Sequence, residues 1–208
     1  MSGEPQAEPA SVAPATKQEL RRELLAQRRA MPGTTIADAS RTVVAALRSL
    51  PELDGRHRVL LYAADPDEVS VDAFVDDPPD GWTVLLPRVD DGEVVVVPHV
   101  PGTPLVSGYR GIREPSGAPL DAASAHATID AVIVPGVAFT PTGARLGRGA
   151  GLYDRLLPRL SAAVRIGVCM EPFVVRDLPL EAHDAAIDVL VTDASVRRRD
   201  VGAIAPPA

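Results

Sequence analysis

Residues 135 to 160, PGVAFTPTGARLGRGAGLYDRLLPRL, constrain the fold of this chain more than any other stretch. The apolar run AVIV at residues 131 to 134 reads as a strand and ends in Pro135-Gly136. A loop then gathers Gly143, Gly147, Gly149 and Gly151 around Arg145 and Arg148. A helix pattern follows at once, carrying Tyr153, Asp154, Leu156, Leu157 and Leu160. Glycine lets backbone N–H groups turn toward a ligand, and a helix N-terminus adds partial positive charge, so strand, loop and helix in this order suit a polyanion. The two arginines reinforce that sign. Asp154 falls in the first helical turn, where a carboxylate either favours the helix dipole or holds a magnesium ion against phosphate oxygens. An ordinary glycine-arginine surface loop with a helix-stabilising aspartate is the competing reading, and the residues alone leave both open. Two nucleotide motifs are absent. There is no G-x-x-x-x-G-K-S/T, and Gly147, Gly149 and Gly151 are spaced by single residues, unlike G-x-G-x-x-G.

At 208 residues the chain suffices for one large α/β domain with a sizeable core. A net charge of −7 argues against nucleic acid recognised by bulk electrostatics, while leaving room for a local basic site. The single cysteine, Cys169, allows no internal disulfide and lies in an apolar run, as a core residue does, which fits a reducing cytoplasm. No segment approaches the roughly 20 apolar residues of a membrane span. Residues 1 to 15 hold Glu4 and Glu8 but no Arg or Lys, so they read as a disordered leader and not as a signal or transit peptide. Residues 197 to 208 read as a flexible tail, which leaves residues 16 to 196 as the domain. Of 21 basic residues one is lysine, Lys17, and a lone lysine among arginines is either kept for a specific role or a chance remnant.

Residues 16 to 30 predict a helix: Thr16 and Glu19 form a T-x-x-E capping box, and Leu20, Leu24 and Leu25 share a face. Lys17 and Arg21, four apart, project from one side as either a solvated basic edge or a pair relieved by a shared anion. A second helix is predicted over residues 35 to 50, then a buried strand over 58 to 63 whose following loop carries Asp65, Asp67 and Glu68. Loops at the ends of parallel strands are where α/β proteins bind ligands, although a carboxylate there also serves simple solvation or helix capping. Residues 83 to 89 and 93 to 100 flank an Asp-Asp-Gly turn and predict an antiparallel hairpin. Residues 101 to 128 read as loop. Two further buried strands are predicted over 164 to 170 and 188 to 192, with His183-Asp184 before the last. Neighbours in an extended segment point apart, so Asp184 alone is the candidate there. His99 and His126 have no partners at metal-ligand spacing.

Residues 143 to 155 are similar to the G-x-R-L-G-x-G-x-G-Y-Y-D signature of the 5-formyltetrahydrofolate cyclo-ligases, also called methenyltetrahydrofolate synthetases. Four further matches fall in order: K-x-x-L-R at Lys17 to Arg21, the Glu after the first strand at Glu68, G-I-x-E-P at Gly111 to Pro115, and H-D-x-x-x-D at His183 to Asp188. The chain resembles this family over residues 16 to 193. The resemblance implies a single-domain three-layer α/β sandwich, with a mostly parallel sheet and an antiparallel hairpin, akin to sugar-phosphate isomerases and acyl-CoA transferases. It also implies an ATP- and Mg2+-dependent closure of 5-formyltetrahydrofolate to 5,10-methenyltetrahydrofolate by a monomeric cytoplasmic enzyme, with no nucleic-acid or membrane partner.

The same resemblance assigns residues. Arg145 and Arg148 are expected to be catalytic. Lys17, Arg21, Arg145, Leu146, Gly147, Arg148, Gly149, Ala150, Gly151, Leu152 and Tyr153 are expected at ATP. Arg21, Ala63, Glu68, Arg148, Gly149, Ala150, Gly151 and Leu152 are expected at folate, and Asp154 and Asp184 at magnesium. Phosphoryl transfer to an amide-like oxygen demands charge neutralisation and in-line positioning more than a strong base, which this set supplies. Leu152 stands where the family usually has tyrosine, and Ala150 fills a variable position. The alternatives are a sugar-phosphate isomerase working without ATP, which has no need of Lys17, and a lapsed paralogue that binds ATP or folate without turnover.

Overall fold

The computed structural model describes residues 16–181 and 184–199. The leader, His183 and the tail from residue 200 lie outside the described residues. Five α-helices lie at Lys17–Arg29 (α1), Gly33–Arg48 (α2), Asp72–Asp76 (α3), Ala122–Thr128 (α4) and Leu152–Leu156 (α5). The strands are Arg58–Leu60 (β1), Thr83–Asp90 (β2), Glu93–Pro98 (β3), Val106–Ser107 (β4), Arg113–Glu114 (β5), Ala131–Pro135 (β6), Ala138–Phe139 (β7), Arg145–Leu146 (β8), Val164–Val168 (β9), Val189–Val191 (β10) and Val196–Arg198 (β11). Among these helices none is long and apolar enough to cross a membrane.

Seven strands form one sheet in the order β11-β10-β9-β6-β1-β2-β3. The five inner strands are parallel, while β3 and β11 join the two edges antiparallel. The α/β class and the hairpin over β2 and β3 are as the sequence predicts. Val132, Ile133 and Val134 of β6 are sealed, as are Val59, Leu60 and Leu61 at β1, which is the continuous apolar signature of strands covered on both faces. From β1 the chain places β2 on one side and β6, β9 and β10 on the other. Strand order therefore reverses between β1 and β6, and the crevice beyond their carboxyl ends is where such a sheet receives ligands.

α1 starts where its capping box requires: the Thr16 hydroxyl accepts from Glu19 N–H, and the Glu19 carboxylate accepts from Thr16 N–H at 2.9 Å. Three elements depart from the sequence reading. α4 and the β4–β5 pair lie in the stretch read as loop, because AASAHAT turns only Ala125 inward among its described side chains and two-residue strands carry no period. Arg197 and Arg198, assigned to a flexible tail, belong to β11, held by Arg197 to Glu171 at 2.5 Å and Arg198 to Glu52 at 2.5 Å. The helix after the glycine loop is five residues long and passes into a 3-10 turn, Leu157–Arg159, since Pro158 has no N–H to extend it.

Candidate functional site

The loops after β1 and β6 meet at the reversal point, and Arg28 of α1 ties them together. Its guanidinium is 3% exposed; it donates to the Asp67 carbonyl at 2.9 and 2.7 Å and to the Gly136 carbonyl at 2.9 Å. Arg28 also stands 3.8 Å from the carboxylates of Asp67 and Glu68. Lys17, Arg21, Leu24 and Arg28 recur at helical intervals, so one face of α1 lays three cations across the ends of the strands. Lys17 Nζ pairs with Asp184 at 2.6 Å and Glu181 at 3.0 Å, and Arg21 Nε donates to the Gly147 carbonyl at 2.7 Å. Burial disfavours the Lys17 charge, but the two carboxylates outweigh it and the ammonium titrates above its ordinary value. Each α1 cation thus has its own partner, and the mutual repulsion inferred from their spacing is relieved within the chain.

The glycine loop runs through β8 to α5. Gly149 and Gly151 have φ of +102° and +65°, a region where a side chain is strained, and Gly151 is the N-cap of α5. Between them and β8 the loop presents Arg148, which pairs with Asp67 at 2.6 Å, Glu68 at 2.9 Å and Asp65 at 3.2 Å. Three carboxylates around one guanidinium hold its charge firmly in place, raising its pKa against the opposing effect of burial. For Asp67 burial pushes upward, and the bonds from Arg148 with the field of Arg28 prevail, leaving its carboxyl below the ordinary range. Arg145, buried in β8, pairs with Asp154 at 2.6 Å and lies 5.7 Å from the centre of the Tyr153 ring. Burial pushes the Tyr153 hydroxyl up, and among the described residues it has no hydrogen-bond partner.

Asp154 and Asp184 come from distant segments, and the N–H of Ala185, the residue after Asp184, meets Asp154 Oδ1 at 3.5 Å. Two half-buried carboxylates, each beside a cation, match what Mg2+ takes from protein when phosphate oxygens supply further ligands. Among the described residues no group of three or more His, Cys, Asp and Glu forms a closed cage. Two carboxylates leave most of an Mg2+ shell to be filled from outside the protein.

A cavity of about 160 Å³ opens beside this charge network. Its charged wall contains Glu68, Arg145, Arg148 and Asp154; its apolar wall contains Pro87, Val89, Val94 and Ile112. Of the expected folate residues, Ala63, Glu68, Arg148, Ala150, Gly151 and Leu152 line it. Tyr153 and Gly147 also line it, whereas Lys17, Arg21, Gly149 and Asp184 do not. The Leu146 side chain is sealed in the core, and its carbonyl accepts from Val137 N–H at 2.7 Å. Sequence reasoning missed Arg28 and Glu114. Arg28 was detectable, being seven residues after Arg21 on the same helical face.

The family model described as the 5-formyltetrahydrofolate cyclo-ligase family matches residues 13–193. A Mycolicibacterium smegmatis protein named 5-formyltetrahydrofolate cyclo-ligase is 33% identical over 189 residues, spanning 87% of this chain and 95% of that protein. A Saccharomyces cerevisiae protein of the same name is 31% identical over 205 residues, spanning 85% of this chain and 95% of its own. The solved structure of Aquifex aeolicus 5,10-methenyltetrahydrofolate synthetase superposes with a TM-score of 0.78 at 34% identity, covering 91% of this chain and 96% of that one. Sequence and fold agree, and the chain belongs to the 5-formyltetrahydrofolate cyclo-ligase family.

Proposed function

We propose that this protein converts 5-formyltetrahydrofolate and ATP to 5,10-methenyltetrahydrofolate, ADP and phosphate. The carrying observation is that Arg21, Arg145 and Arg148 meet at one glycine loop beside the cavity, with Lys17 one helical turn from Arg21 on the same face of α1. Lys17 and Arg21 hold the nucleotide from the α1 side. Arg145 and Arg148 offset charge on the transferred phosphoryl group as it passes to the formyl oxygen. That transfer turns the oxygen into a leaving group; the N10 amine then closes the five-membered ring and phosphate departs. Asp154 and Asp184 would hold Mg2+, which supplies charge neutralisation at the phosphates. The apolar wall of Pro87, Val89, Val94 and Ile112 limits water around the reacting centre, which strengthens the field of the arginines.

The reading is completed by a monomeric enzyme in the cytoplasm, a location with which the free thiol of Cys169 is compatible. Family membership leaves the sugar-phosphate isomerase reading without a supporting observation. Calorimetric titration tests the proposal: the protein should bind MgATP and 5-formyltetrahydrofolate separately, and failure to bind either one would exclude it. Lys17→Ala should weaken MgATP binding by about tenfold or more, the scale of one lost charge-assisted contact, with folate binding in the absence of ATP unchanged. Wild-type ATP affinity in that variant would make the lone lysine a partner of Asp184 and nothing more.

A further inference from the structure

Among the described residues Glu114 is the one cavity-lining carboxylate that pairs with no cation, since Asp65 and Glu68 pair with Arg148 and Asp154 with Arg145. It ends β5, lines the cavity and is 6% exposed. Among the described residues it forms no ion pair, and its one hydrogen bond is from Val89 N–H to Oε1 at 3.2 Å. Arg88, the cation whose field reaches it, is engaged by both oxygens of Asp90 at 2.8 and 2.7 Å and by the carbonyls of Pro115 and Gly117. By contrast Glu68, the neighbouring cavity carboxylate, is met by Arg148 and by Asp65 N–H.

The backbone opposite Glu114 is shaped to keep it there. A β-carbon on Gly108 would fall 1.9 Å from Glu114 Oε2 and 2.2 Å from Cδ, so the carboxylate occupies the space of a missing side chain. Gly108 N–H bonds the Ile112 carbonyl at 2.8 Å, which closes the β4–β5 turn around it. Burying a carboxylate without a cation is unfavourable unless donors meet it. Among the described residues one N–H does so; the cavity side offers room for others.

We propose that Glu114 is a second substrate-recognising carboxylate, accepting from the N–H donors of the tetrahydropterin ring while Glu68 stays bound to Arg148. This rests on the folate reading of the cavity given above. A carboxylate presents two acceptor oxygens, and the 2-amino-4-oxopyrimidine edge of a pterin presents an amino group beside a ring N–H, a pairing of the bidentate kind. It assigns a role to the G-I-x-E-P run that neither the glycine loop nor the metal pair requires.

The test is calorimetric binding, without ATP, of 5-formyltetrahydrofolate and of its analogue carrying methyl in place of the 2-amino group, to wild type and Glu114→Gln. The amide is isosteric and its oxygen still accepts from Val89 N–H, so the melting temperature and MgATP affinity should be unchanged. Wild type should prefer the parent folate by about tenfold, and Glu114→Gln should bind the parent about tenfold more weakly while discriminating little between the two ligands. Glu114→Asp, which keeps the charge but withdraws it by a methylene, should lose part of the preference and serves as the second variant if the amide is unstable. A variant that retains full preference for the amino-bearing ligand would overturn the role of Glu114, leaving Glu68 as the recognition group. A wild-type protein that binds no 5-formyltetrahydrofolate would instead overturn the folate reading, and this inference with it.

Discussion

Replacing Arg148 with methionine is expected to lower turnover by about 10²–10³-fold, the loss typical when one preorganised group aimed at developing charge is removed. Arg148 occupies the glycine loop and simultaneously pairs with Glu68, so it would join the proposed nucleotide side of the site to the proposed folate cavity. Methionine fills much of the stem's volume but carries neither charge nor donors. Three carboxylates, Asp65, Asp67 and Glu68, would then face one another with Arg28 at 3.8 Å as the remaining cation. The variant should also be less stable at neutral pH, and the pH dependence identifies the cause. Asp67 is held below its ordinary value in the folded protein, so its pairing contributes stability above the unfolded pKa of about 3.9 and loses it as pH falls through the lower folded value. Removing Arg148 takes that contribution away, and stability should fall less steeply on acidification below about pH 5 than in wild type. Thermal melts from neutrality down to acid conditions check this. Parallel acid limbs in the two proteins would show that Arg148 does not stabilise the Asp67 carboxylate.

Asp154→Asn should raise the magnesium concentration needed for turnover, whereas Asp77→Asn, on a side chain that is 92% exposed, should leave it unchanged. Neutralising a carboxylate removes both charge and a strong oxygen donor from a hard cation. The same substitution leaves the buried Arg145 guanidinium without its anion, and among the described residues its Nε already lacks a hydrogen-bond partner. A stability loss of about 1.5–3 kcal/mol is expected, the range for a hydrogen bond to a charged group, lying toward the lower end because the amide oxygen still accepts. Melting without nucleotide separates the two effects. Lower stability with unchanged magnesium dependence would confine Asp154 to holding Arg145.

The sequence carries the parts of this account that depend on local pattern. α1 is announced by Thr16 and Glu19, and β6 with its glycine loop by AVIVPG and the four glycines. Both hairpin strands follow from β-rich runs about an Asp-Asp-Gly turn. What the residues could not convey is pairing across distance. Lys17 and Asp184 lie 167 positions apart, and Arg148 and Asp67 81 apart, so their contacts exist only after the sheet order brings β1, β6 and the last loop together. The spacing of Arg28 from Arg21 marks the face of α1 it occupies, but its burial against the loops after β1 and β6 exists only once the sheet has formed. Glu114 was hidden for the opposite reason: a two-residue strand in an aperiodic stretch gives no pattern from which its cavity-facing position can be read.

The most direct measurement is the absorbance of the methenyl product formed from 5-formyltetrahydrofolate by the purified protein, followed with and without MgATP alongside the ADP released. The account predicts product only when ATP and Mg2+ are both present, with one ADP per methenyl group formed. Product at the full rate without nucleotide, or ATP hydrolysis without ring closure, would contradict it.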